Sequence, residues 1–119
     1  MSVPSHVLVI VSGILFCFIF FAACVSTTIG NVSYSGDGLT LTLSHDGEAS
    51  AGFVQVTVYE IKNNEQKETD VLFAPLALKK GENTVFIPGS LEPGQYKLYI
   101  YLIQDGERKA ATIRDLVVN

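Results

Sequence analysis

The sequence predicts an all-β protein, a seven-stranded two-sheet sandwich preceded by one N-terminal hydrophobic helix. Three observations carry this expectation. Val7 to Val25 is an apolar run broken only by Ser12 and Gly13, and it shows no strand-like alternation. After residue 30 no helical period survives. Short runs rich in Val, Ile, Thr and Tyr alternate there with Gly, Asn and Asp turns, roughly every eight to twelve residues. Finally, Leu91 to Leu102 opens on a Pro-Gly turn and becomes a long alternating strand. Tyr96, Leu98, Ile100 and Leu102 fall on one side of it, and Lys97, Tyr99 and Tyr101 on the other.

As a helix, residues 7–25 extend about 28 Å at about 1.5 Å per residue, close to a hydrocarbon core of about 30 Å. The segment is apolar all round, and what remains of the chain is too small to surround it. It is expected to meet the membrane, in one of three ways. It stays as a single-pass anchor, it is a signal cleaved near Phe21-Ala22-Ala23, or Phe21-Ala22-Ala23-Cys24 is a lipobox, which it resembles. In the last case Cys24 is lipidated and becomes the N-terminus. No Lys or Arg precedes residue 37, so the positive-inside rule does not set the orientation. Residues 26–30 form a short linker, since Ser26 to Asn31 spans about 20 Å even when fully extended. Residues 31–119 are left for one sandwich domain, placed close to the bilayer.

The net charge of −4 belongs wholly to that domain, because every Lys, Arg, Asp and Glu lies after residue 36. A mildly acidic domain with no basic cluster larger than Lys79-Lys80 does not suit nucleic acid, whose phosphates need several cations. Both cysteines, Cys17 and Cys24, sit in the apolar segment, so the domain has neither a disulfide nor a thiolate ligand.

In chain order, the first strand is expected at Val32–Ser35, ending in Ser35-Gly36-Asp37-Gly38. The second is Leu39–Ser44, with Leu39, Leu41 and Leu43 against Thr40, Thr42 and Ser44. A loop follows over 45–52, then a strand at Phe53–Ile61 with Val54, Val56 and Val58 inward. Residues 62–70 read as a polar connection, since nothing in them forms a core stripe. Val71–Leu78 is a strand whose Pro75, lacking an N–H, argues for a sheet edge or a bulge. Residues 79–83 turn the chain into Thr84–Pro88. After the corner at 89–94 comes the long strand, then an Asp105-Gly106 hairpin signal. The last strand, Lys109–Val118, loses alternation near Arg114-Asp115, where a bulge is expected.

This strand order, the Pro93-Gly94-Gln95-Tyr96 corner and the Asp-Gly hairpin before the last strand resemble the fibronectin type III and immunoglobulin-like domains of cell-surface proteins. The resemblance implies a tyrosine corner, with the Tyr96 ring in the core and its hydroxyl reaching back to the preceding loop. It transfers no functional residues.

Catalysis finds no support in the residues. His45 lies beside Asp46 and Glu48 with Ser44 and Ser50 as the only nearby hydroxyls, and it reads as a solvated loop histidine. Asp37, Asp46, Glu48, Asp105 and Glu107 fall in turns, without the spacing of a calcium loop. No metal or cofactor is expected. Asn31-Val32-Ser33 matches a glycosylation sequon, a three-residue pattern of low specificity.

If the two central strands pair, Gln55, Thr57 and Tyr59 share an outward sheet face with Tyr99, Tyr101 and Ile103. Tyrosine-rich surfaces suit binding because they offer large, rigid, amphipathic area. The expected function is therefore non-catalytic: a membrane-tethered, extracytoplasmic domain, on the cell surface or in a periplasm-like space, acting through protein–protein contact or self-association in an envelope or surface assembly. A carbohydrate or small-ligand module using the tyrosine face is the alternative. A cytoplasmic orientation stays open.

Overall fold

A computed structural model describes residues 27–119. The expected helix at 7–25, its membrane contact and Cys24 lie outside the described residues. Those residues form seven strands: β1 (Thr27–Ser35), β2 (Gly38–His45), β3 (Ser50–Lys62), β4 (Glu65–Leu78), β5 (Gly81–Pro88), β6 (Gly94–Gln104) and β7 (Glu107–Val118). They make two antiparallel sheets, ordered β1-β2-β5 and β4-β3-β6-β7. The arrangement is consistent with the immunoglobulin and fibronectin III superfold.

Alternation decides what lies between the sheets. Leu39, Leu41 and Leu43 of β2 meet Val54, Val56 and Val58 of β3 and Leu98, Ile100 and Leu102 of β6 in one fully buried cluster. Val85 and Ile87 of β5 and Leu72, Ala74, Leu76 and Leu78 of β4 extend it to the flanks. The β3–β6 ladder runs unbroken from Phe53↔Ile103 to Ile61↔Gln95. Pro75 sits on β4, an outer strand, the position where a residue without an N–H is tolerated in a sheet.

The structure corrects four expectations. First, β1 begins at Thr27, so residues 27–30 are strand rather than linker; Ile29 is buried and pairs with Leu43. Second, residues 62–70 are not a connection. Asn63 and Asn64, with φ of 55° and 63°, make a two-residue turn, and β4 runs back along β3 from Glu65. Ladder hydrogen bonds need backbone, not apolar side chains, so this polar hairpin leaves no core stripe to read.

Third, the β6–β7 ladder is continuous through Leu98↔Arg114 and Lys97↔Asp115, and the extra residue is Lys109, between the Leu102 and Ile103 pairings. Arg114 breaks the apolar alternation for another reason. It lies on the inner face at the open side of the sandwich, and its Nη2 donates to the carbonyls of Ile29 at 3.2 Å and Gly30 at 3.4 Å. Those carbonyls flank the point where β1 carries one residue more than β2.

Fourth, His45 is no solvated loop residue. It ends β2, is 3% exposed, and has both ring nitrogens engaged. Nε2 lies 2.8 Å from the Glu48 carbonyl and Nδ1 2.8 Å from the Thr27 hydroxyl. A carbonyl only accepts, so the ring proton sits on Nε2 and the Thr27 hydroxyl donates to Nδ1. The ring thus joins the start of β1 to the β2–β3 loop.

Leu98 is fully buried at the centre of β6. Leu98→Ala is expected to cost about 2–5 kcal/mol through lost transfer energy and the cavity left behind. Urea unfolding should show a lower midpoint at unchanged slope.

Candidate interaction face

The outward side of the four-stranded sheet is built row by row from strand register. Across β4, β3, β6 and β7, one row is Phe73–Gln55–Tyr101–Ala111 and the next is Val71–Thr57–Tyr99–Ile113. Above them stands Pro75–Phe53–Ile103–Arg108, and below them Glu68–Tyr59–Lys97–Asp115. All six candidate residues from the sequence, Gln55, Thr57, Tyr59, Tyr99, Tyr101 and Ile103, therefore share this face. Thr57 is buried within it, between Val71 and Tyr99 in its row.

The tyrosines do not form one stack. Tyr59 and Tyr99 meet edge to face, with centroids 5.0 Å apart and planes at 67°. The Tyr99 hydroxyl donates to Gln66 Oε1 at 3.4 Å. Tyr101 instead carries the Arg108 guanidinium 4.0 Å above its ring, a cation–π contact. Lys97 and Asp115 approach to 3.9 Å across the lower row, an exposed pair worth little by itself.

Reading the sequence missed the phenylalanines of this face and its aliphatic members other than Ile103. Among the described residues, Phe53, Val71, Phe73, Ile113, Val117 and Phe86 are the large hydrophobics left exposed. All but Phe86 lie on this one face, and Phe73, Ile113 and Val117 are 55%, 53% and 61% exposed. Phe53 and Phe73 also touch, with centroids 6.2 Å apart. A signal was present: Val71 to Leu78 is apolar at nearly every position, so both faces of that strand are apolar, not only the one turned to the core.

The opposite sheet provides an internal comparison. Its β2 carries Thr40, Thr42 and Ser44 outward, between Leu39, Leu41, Leu43 and His45. Strand propensity there is met by threonine. Propensity alone therefore does not require Phe, Tyr and Ile on the outer side of β4-β3-β6-β7.

Two further tyrosines hold the loop before β6. The buried Tyr96 hydroxyl donates to the Glu92 carbonyl at 2.6 Å. Tyr34, which the sequence reading did not single out, accepts the Leu91 N–H at 2.8 Å and has the carbonyls of Gly36 and Leu91 within 3.2 Å. No protein-family model matches this sequence, and comparison with curated proteins finds no match.

Burial raises the pKa of Tyr96 above its ordinary 10.0, and the carboxylates of Glu60 and Glu92 push the same way. The unfolded chain therefore loses this proton first. Stability is full below about pH 10 and falls as pH rises towards the folded-state value. Tyr96→Phe removes the titration and also the hydrogen bond to Glu92, at a neutral-pH cost of about 1 kcal/mol. Urea midpoints measured from about pH 8 to 11 should decline less steeply for the variant than for the parent chain.

Proposed function

We propose that this chain is a non-catalytic, membrane-tethered extracytoplasmic β-sandwich of fibronectin III or immunoglobulin-like type. It works by protein–protein contact in an envelope or surface assembly. The outer face of β4-β3-β6-β7 is its docking surface. The observation that carries this reading is the gathering on that one face of five of the six large hydrophobics exposed among the described residues. Contiguous apolar patches of this kind mark interaction sites on soluble domains. The tether rests on the apolar run at 7–25 and its length match to a bilayer.

Protein fits the face better than carbohydrate does. A sugar ring stacks on a flat aromatic platform, whereas Tyr59 and Tyr99 meet edge to face, and Tyr101 is already covered by Arg108. Val71, Ile113 and Val117 are aliphatic, giving packing area without hydrogen-bonding groups for hydroxyls.

The test uses the full chain extracted from native membranes in mild detergent. The parent chain is expected to migrate in a complex larger than one chain. The double variant Tyr99→Ser, Tyr101→Ser should shift to a smaller species with a nearly unchanged melting temperature. A complex of unaltered size in the double variant would remove this face from the function.

A further inference from the structure

We propose that the occupant of this face is a second copy of the same chain, stacked face to face about a two-fold axis parallel to the strands. This rests on the reading that the face docks protein, and it adds the partner and the geometry. Isologous contacts require a surface complementary to itself, and strand register allows that to be checked position by position. An axis along the strands lays β4 of one copy over β7 of the other and keeps each row on itself. Phe73 then meets Ala111, large against small, and Val71 meets Ile113. Tyr59 meets Lys97, a cation against an aromatic ring.

One kind of like-charged meeting remains, Glu68 over Asp115, which the two-fold axis repeats. It falls at the flank of the face, where Lys97 already stands 3.9 Å from Asp115. The other in-plane axis, run across the strands through the Val71–Thr57–Tyr99–Ile113 row so that the whole face overlaps, lays each strand on itself and sets Phe73 on Glu68 and Ala111 on Asp115, apolar against charge. Self-complementarity selects the first.

Area and chain direction agree with it. With the row Gln66–Ile61–Gln95–Val117 below the four already named, four strands about 4.8 Å apart and five rows about 6.8 Å apart give a footprint of roughly 650 Å² per copy, near the 800 Å² or so per partner of standard interfaces. Sheets stacked in this way pack aligned, at about 30°. With the axis along the strands, both copies also present Thr27 at the same end. Two chains tethered ahead of Thr27 to one surface require that placement of Thr27.

The experiment places the photo-crosslinker p-benzoylphenylalanine at Ile113 in the full chain, irradiates native membranes, and maps the product by peptide mass after extraction. The expected product has twice the chain mass, with its new bond in β4 around Val71. A second variant, Phe73→Glu, should lower the yield at least tenfold. Attachment to β7 of a second copy would overturn the axis. Attachment to a different protein, or to residues 1–26 of the same chain, would overturn the second copy while leaving the docking reading in place. Irradiation that leaves only uncrosslinked chain would also overturn the second copy. If the complex is moreover unaltered by Tyr99→Ser, Tyr101→Ser, the docking reading falls as well.

Discussion

The pairing of β3 with β6 is the constraint on which the rest of the molecule depends. Nine consecutive register pairs, Phe53↔Ile103 through Ile61↔Gln95, lock the two strands without a bulge. A slip of one residue would turn the side chains of one strand to the opposite side. Either Val54, Val56 and Val58 or Leu98, Ile100 and Leu102, each at most 1% exposed, would then face out, with Tyr59 or with Tyr99 and Tyr101 driven into the core. Both outcomes are costly, so one ladder sets the core and the outward face together. The bulges fall in the flanking ladders, where they adjust β4 and β7 without disturbing this centre.

Around that centre, polar groups close the seams that apolar packing leaves. Tyr34 and Tyr96 hold the loop before β6 from two sides, one from each sheet. Arg114 brings a cation to the Ile29 and Gly30 carbonyls at the open side between β1 and β7. His45 joins the start of β1 to the β2–β3 loop. Among the described residues no buried side-chain nitrogen or oxygen lacks a partner. In a domain this small, with no cysteine among residues 27–119, such satisfied contacts matter because an unpaired buried polar group costs about 1–3 kcal/mol.

The seven strands and the inward residues of β2, β3 and β6 were legible because period-two alternation is itself the signature of a one-sided burial. So was the sharing of one face by Tyr59, Tyr99 and Tyr101, which follows from parity once β3 and β6 pair. What escaped has identifiable physical causes. The β3–β4 hairpin is held by backbone bonds and an Asn-Asn turn, and projects beyond the core, leaving no apolar trace. Arg114 looked like a broken alternation because a long side chain can start inside and end on main-chain carbonyls. The burial of His45 depends on Thr27 and Glu48, which lie 18 and 3 residues away and give no local pattern. Val71 and Phe73 escaped because the apolar run at 71–78 was read for its edge position and not for its two faces.

Whether such a chain associates through its edges or its faces can be decided from how each is built. All four outer strands carry devices that hinder strand addition. β4 has Pro75 and the extra residue Thr69, and β1 has its extra residue at Gly30-Asn31. The bulge at Lys109 interrupts β7, whose Arg114 already spans to β1, and β5 ends at Pro88. The outer face of β1-β2-β5 is lined along β2 by threonine and serine, hydroxyls that water satisfies. The outer face of β4-β3-β6-β7 keeps its charges, Arg108, Glu68, Lys97 and Asp115, to the rows above and below its middle, and phenylalanine, tyrosine, valine and isoleucine stand there in register over four strands. A sequence under selection to stay solitary has the same means available for that face that it uses on the other one. Their sparing use in the middle rows of that face, beside blunted edges, supports the proposal of face-to-face rather than edge-to-edge contact.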